Sequence, residues 1–194
     1  MSQPLFTARD LCVQRDERIL GPWSLSLVPG DRILLTGANG TGKSSLVAVV
    51  CGWLEPASGL VEVPPGLQVG VAPEPFLAPT GLYTSEFLAL VAATLRVPLP
   101  HELIDRFDLE ECLGQRLTTL SRGQLKRVVI ASAFIGTPPL IVLDEPLEGL
   151  DAACRARVLH AVNDYVRDGG CALIATHRPH AWGDGECLDL GGPA

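Results

Sequence analysis

The stretch Leu34-Leu35-Thr36-Gly37-Ala38-Asn39-Gly40-Thr41-Gly42-Lys43-Ser44-Ser45 constrains this chain more than any other. The apolar run 33–35 reads as a buried strand, three glycines break it into a loop, and residues 44–50 read as a helix. Glycines let the backbone turn tightly enough for successive N–H groups and the helix N-terminus to converge on an anion. The interval from Gly37 over four residues to Gly42-Lys43-Ser44 is that of a phosphate-binding loop. Gly37, Ala38, Asn39, Gly40, Thr41, Gly42, Lys43, Ser44 and Ser45 would then cradle the phosphates of a nucleotide. Lys43 supplies a point charge for the outer phosphates, and the Ser44 hydroxyl is placed to ligate Mg2+.

The rest of the composition fits a globular chain with one core and a small appended lobe: 194 residues, 47% hydrophobic and 19% charged. A formal charge of -7 with scattered basic residues argues against a direct nucleic-acid partner, which needs clustered Lys and Arg. The longest apolar run, Val47 to Leu54, falls far short of the about 20 residues of a membrane span and is expected to belong to the helix after the loop. The first ten residues show no cationic segment followed by an apolar one, so no secretory signal is expected. Six widely spaced cysteines form no C-x-x-C pair, which predicts free thiols in a reducing compartment rather than a disulfide or metal framework.

Along the chain, short strands are expected at 5–7, 11–13, 19–20 and 24–28, forming an antiparallel layer beside the main sheet. Strands follow at 60–63 and 67–71, then a proline-rich exposed loop from Ala72 to Thr80. Ser85 is expected to cap a helix closed before Pro98, and Pro100 to open a second. Ser121 is a candidate N-cap for a helix running to about Ile135, and Asp151 for a later one. Leu140-Ile141-Val142-Leu143 and Cys171-Ala172-Leu173-Ile174-Ala175 are apolar throughout, as parallel strands covered on both faces are. The first empties into Asp144-Glu145-Pro146, the second into Thr176-His177. In open α/β sheets that carboxyl edge is where ligands bind. Asp144 stands where a carboxylate holds the nucleotide's Mg2+, Glu145 beside it can orient and deprotonate water, and His177 can donate to the terminal phosphate.

Taken in order, Gly37 to Ser45, Leu120-Ser121-Arg122-Gly123-Gln124, Leu140 to Pro146, Gly149-Leu150-Asp151 and His177 resemble the nucleotide-binding domain of ABC ATPases over nearly the whole chain. The resemblance implies an α/β P-loop NTPase of ABC ATPase-like fold: a mostly parallel core sheet, an antiparallel β layer and a small helical lobe at about 82–119, all within one domain, 1–194. It implies ATP and Mg2+ as cofactors, with Glu145, His177 and Lys43 catalytic and Ser44, Asp144 and Glu74 toward the metal. Ser121, Gly123 and Gln124 would contact ATP held on the loop of a second copy or a related domain, and Asp151 would sit in the interface, so the chain must form a homodimer or heterodimer.

Three departures stand out. Pro73-Glu74-Pro75 replaces a glutamine context, and Glu74 would add negative charge near the γ-phosphate and slow hydrolysis or alter coupling. Arg122 replaces the first glycine of the Leu-Ser-Gly-Gly-Gln signature, so its side chain must point away from the phosphate or meet it as an extra cation. An adenine-stacking aromatic is missing near Gln14, leaving the Arg15 guanidinium for that role. The function implied is the ATP-hydrolysing subunit of an ABC transporter, docked on a separate integral membrane permease at the inner face of the cell membrane. Its compact length and residues 14–20 look most like the cytochrome-c haem-exporter ATPases. The alternatives are a soluble ABC ATPase of ribosome-acting or repair type, or a degenerate nucleotide-binding partner of an active subunit.

Overall fold

The computed structural model describes residues 3–191. The strands in chain order are β1 (Phe6–Arg15), β2 (Arg18–Leu27), β3 (Arg32–Thr36), β4 (Ser58–Glu62), β5 (Val69–Ala72), β6 (Leu140–Asp144), β7 (Cys171–Ala175) and β8 (Glu186–Asp189). The helices are α1 (Lys43–Val50), α2 (Thr84–Leu95), α3 (His101–Phe107), α4 (Arg122–Ser132) and α5 (Ala152–Arg167). One sheet is antiparallel, in the order β2-β1-β4; the other is parallel, in the order β5-β6-β7-β3-β8. The expected layering is therefore present, with α2, α3 and two short 3-10 turns as the helical lobe.

Every residue of β6 and β7 is buried. Their side chains separate with period two. Ile141, Leu143, Ala172 and Ile174 face a core shared with α4, α5 and the lobe, while Leu140, Val142, Cys171 and Leu173 face one shared with α1 and the antiparallel sheet. A strand wetted on neither face has no position for a charge until it leaves the sheet, so the polar residues crowd at its end. The register then fixes where they crowd: Leu35 pairs with Ala175, and Ala175 with Asp144, in one row across three neighbouring strands. The chain beyond each of these residues exits at one edge.

Several boundaries differ from the sequence reading. The four short N-terminal strands are two ten-residue strands, because the register shifts absorb the breaks as bulges around Asp10 (φ 49°) and Gly21 (φ 115°). Ser85 is not the cap of α2: the helix begins at Thr84, and Glu86 reaches back to accept the Tyr83 N–H at 2.9 Å. α4 stops at Ser132, and the N–H groups of Ala133, Phe134 and Ile135 bond three residues back at 3.1–3.2 Å, a tightened last turn. The helix after the phosphate loop ends at Val50, short of Leu54. β8 escaped notice because it is a four-residue edge strand with one half-buried side chain, Leu188, and no apolar run to mark it.

Gly70 in β5 shows how tightly the lobe side is packed, since a Cβ there would overlap the Ala133 carbonyl at the end of α4. Leu143 is fully buried at the same junction. Leu143→Ala is expected to cost about 2–5 kcal/mol, read as a lower urea midpoint at unchanged slope. A loss under about 1 kcal/mol would mean that Leu143 is not packed into the core shared with α4 and the lobe.

Candidate functional site

The phosphate loop leaves β3 and enters α1 through Gly42, whose φ of 106° lies in the left-handed region. Space is the second constraint, because a Cβ at Gly42 would lie 2.5 Å from Trp23 Cη2. Trp23, buried on β2, is therefore the floor on which the loop rests. Thr41 Oγ1 donates to the Ala38 carbonyl at 3.0 Å and steadies the turn. The Lys43 ammonium donates to the carbonyls of Gly37 (2.8 Å) and Ala38 (3.0 Å) and spans the loop. No side chain among the described residues caps α1, and its first turn carries no acidic residue. Its leading N–H groups thus remain donors for an anion.

Opposite the loop, Ser44 Oγ donates to Asp144 Oδ2 at 3.4 Å, joining α1 to β6 across the sheet edge. Burial pushes the Asp144 carboxyl up from its ordinary 3.8 to about 6, the neighbouring Glu145 and Glu74 charges adding to the effect and the Ser44 hydrogen bond opposing it. A cation is what would relieve this. Mg2+ is bound through one or two side chains plus phosphate oxygens rather than an all-protein cage, and Ser44 and Asp144 fit that role. Among the described residues, no group of three His, Cys, Asp or Glu side chains forms a metal cage elsewhere.

Glu145 follows with a left-handed backbone, φ 44°, unusual for a side chain of its size. Three contacts hold it there. Its N–H donates to the Ala175 carbonyl (2.9 Å), and its own carbonyl accepts from the Glu148 N–H (3.1 Å) and from the Lys126 ammonium (2.7 Å). At the other end, Oε2 accepts the His177 N–H at 3.3 Å, and Oε1 lies buried 3.3 Å from His177 Nε2 without the alignment of a hydrogen bond. The general base expected at 145 and the imidazole expected at 177 are thus in direct contact.

These groups line one open cleft of about 1120 Å3, together with Asn39, Gly40, Gly42, Lys43, Ser45 and Arg15. Arg15 sits at the tip of the β1–β2 hairpin, paired in register with Arg18, which lines the same cleft and was not anticipated. Ser121, Gly123 and Gln124 are not part of its lining. They form a reciprocal cap at the start of α4, the Ser121 N–H donating to Gln124 Oε1 (2.9 Å) and the Gln124 N–H to Ser121 Oγ (3.3 Å). Asp151 caps α5 as expected, accepting the Cys154 N–H at 2.8 Å.

The two departures at 74 and 122 turn out to be partners. Glu74 lines the cleft, but its Oε2 lies 2.9 Å from the Lys126 ammonium and its Oε1 3.4 Å from Arg122. The carboxylate expected beside the metal thus lines the cleft while pairing with two cations of α4 of its own chain. Arg122 points away from any phosphate on this chain's loop, toward Glu74 and Glu148 (3.5 Å), and lies against Gly149. Lys126 was missed. It sits two residues past the signature and belongs to no motif, and its burial, 8% exposed, could only be guessed by asking what would neutralise Glu74.

A protein-family model described as ABC transporter matches residues 20–148, which carry the loop, the Ser121–Gln124 corner and the Asp144–Glu145 pair. The chain belongs to the ABC transporter family. Among curated relatives, it is 36% identical over 166 residues to the zinc import ATP-binding protein ZnuC of Yersinia enterocolitica, covering 84% of this chain and 66% of that one. It is 34% identical to the ZnuC of Photorhabdus laumondii, covering 91% of this chain and 70% of that one. The chain therefore spans about two-thirds of the length of these relatives. Among solved structures, the ATP-binding subunit of an ABC transporter superposes with a TM-score of 0.79 at 28% identity, over 89% of this chain and 79% of that one. A dimeric post-hydrolysis ATP-binding cassette bound to ADP and Pi shares the fold, with a TM-score of 0.84 at 21% identity over 95% and 94% of the two chains.

The raised Asp144 carboxyl has a cost in stability. The folded state holds the Asp144 proton more tightly than the unfolded chain, so stability from this group is full below 3.8 and falls as pH rises to about 6. Asp144→Asn is therefore expected to stabilise the nucleotide-free protein at pH 7.5 by about 1–3 kcal/mol. Thermal melts at pH 7.5 and pH 4 check this, since the gain should vanish at the lower pH.

Proposed function

We propose that the chain is the ATP-binding and ATP-hydrolysing subunit of an ABC transporter, working as one nucleotide-binding unit with the 82–119 lobe inserted in its α/β core. One observation carries the proposal. The phosphate loop, the Ser44–Asp144 pair and the Glu145–His177 pair, which come from three different strand ends, open into a single cleft. Lys43 and the N–H groups of α1 bind and orient the phosphates; Ser44 and Asp144 would hold Mg2+, which would supply positive charge to the phosphates. Glu145 orients the attacking water and takes its proton. His177 steadies the Glu145 carboxylate and donates toward the terminal phosphate.

The Ser121–Gln124 corner faces elsewhere on its own chain, so two chains, or this chain and a related one, meet head to tail with ATP between a loop and the other's corner. Solved cassettes of this fold include dimers, which supports the arrangement. The ATPase docks on an integral membrane permease and is peripheral to the inner face of the membrane. No helix among the described residues is long and apolar enough to cross a bilayer. The haem-exporter reading rested on residues 14–20 and on length; the zinc importers among the relatives support import, with a metal ion as cargo. Glu74 is paired chiefly with the buried Lys126 rather than standing as a free charge in the cleft, which speaks against a degenerate role.

Lys43→Ala is expected to abolish binding of a fluorescent ATP analogue; affinity within threefold of wild type would overturn the phosphate assignment. Glu145→Gln should bind ATP normally while turnover falls about 100-fold or more, and size exclusion with ATP should show a dimer. Affinity purification from membranes should recover an integral membrane protein. Recovery of soluble partners alone would favour a non-transport ATPase.

A further inference from the structure

Lys126 does something the family resemblance does not assign. Its side chain is buried on α4, 7% exposed, and the ammonium meets two groups at once: the Glu145 carbonyl at 2.7 Å and Glu74 Oε2 at 2.9 Å. The first is the backbone of the general base at its left-handed residue; the second belongs to the proline-rich loop after β5. A buried ammonium without a carboxylate is strongly disfavoured, so Glu74 gives Lys126 its reason to stay in place. Arg122 touches the same carboxylate from outside at 3.4 Å but is mostly exposed, and solvent weakens that contact.

We propose that Lys126 is a positioning residue for hydrolysis: its ammonium fixes the Glu145 backbone and is itself aimed by Glu74, so that the loop after β5 and the general base are mechanically joined. The proposal rests on the role given above to Glu145. It reverses the expectation for Glu74 drawn from sequence alone. If Glu74 were a surplus charge near the terminal phosphate, removing it would speed turnover; as the group that aims Lys126, its removal slows turnover.

The test is a double-mutant cycle on the full chain, with kcat and KM for MgATP measured alongside direct binding of a fluorescent ATP analogue. Lys126→Met should lower kcat at least tenfold while KM and nucleotide affinity stay within threefold, a split that general loss of structure would not produce. Glu74→Gln should lower kcat threefold to tenfold in the wild-type background and leave it unchanged in the Lys126→Met background, because Glu74 acts through Lys126. Lys126→Arg, which keeps the positive charge and hydrogen-bond donors, should recover part of the rate. An unchanged or raised kcat in Glu74→Gln overturns the proposal, as does an equal effect of that change in both backgrounds. Should Lys126→Met not fold, Glu74→Gln decides alone by the same criterion. Wild-type protein without turnover, or Glu145→Gln with full turnover, would overturn the parent reading. Normal results there with an inert Glu74→Gln overturn only the role of Lys126.

Discussion

A parallel sheet dried on both faces is the constraint from which the rest follows. β6 and β7 are buried at every position, so neither has a place for a charge between its ends. The polar chemistry is pushed to the point where these strands run out, and because Leu35, Ala175 and Asp144 stand in one row, three strands run out together. The phosphate loop, the Asp144 carboxylate and the Glu145–His177 pair need no long-range search to find one another. Hydrogen bonds along the ladder have already set their spacing.

At that edge the electrostatics are deliberately unbalanced. Asp144, Glu145 and Glu74 stand close enough for burial and mutual repulsion to raise Asp144, while Lys126 works against them from below. The balance is completed by a ligand that brings both a cation and an anion, Mg2+ with its phosphates, and a site of this kind is less stable than it would be with neutral residues. Glu145 carries strain of another sort, a left-handed backbone held by the Ala175 carbonyl on one side and Lys126 on the other. These contacts keep Glu145 from relaxing into a more comfortable backbone conformation.

The fold and much of the site were legible in the residues because their signals are local. Three glycines before a helix, a charge directly after an apolar run, and Ser121 or Asp151 before a helical stretch each encode their structure within a few positions. What escaped depends on distance. The N-terminal strands looked broken because bulges are set by the partner strand, and β8 left no signal because an edge strand has little to bury. Glu74 and Arg122 looked like two separate departures, 48 residues apart, until the folded chain placed them 3.4 Å from each other. Lys126, the residue that makes sense of Glu74, carried no motif at all.

The indole of Trp23 under Gly42 has a consequence of its own. It ties the antiparallel sheet to the loop by shape, leaving no room for a side chain at residue 42. Its fluorescence is therefore a native gauge of that loop. With Trp53 largely exposed and Trp182 buried beside Arg32, the three emitters sit in distinct surroundings, and the molecule arrives with its own optical probe already installed at the nucleotide cradle.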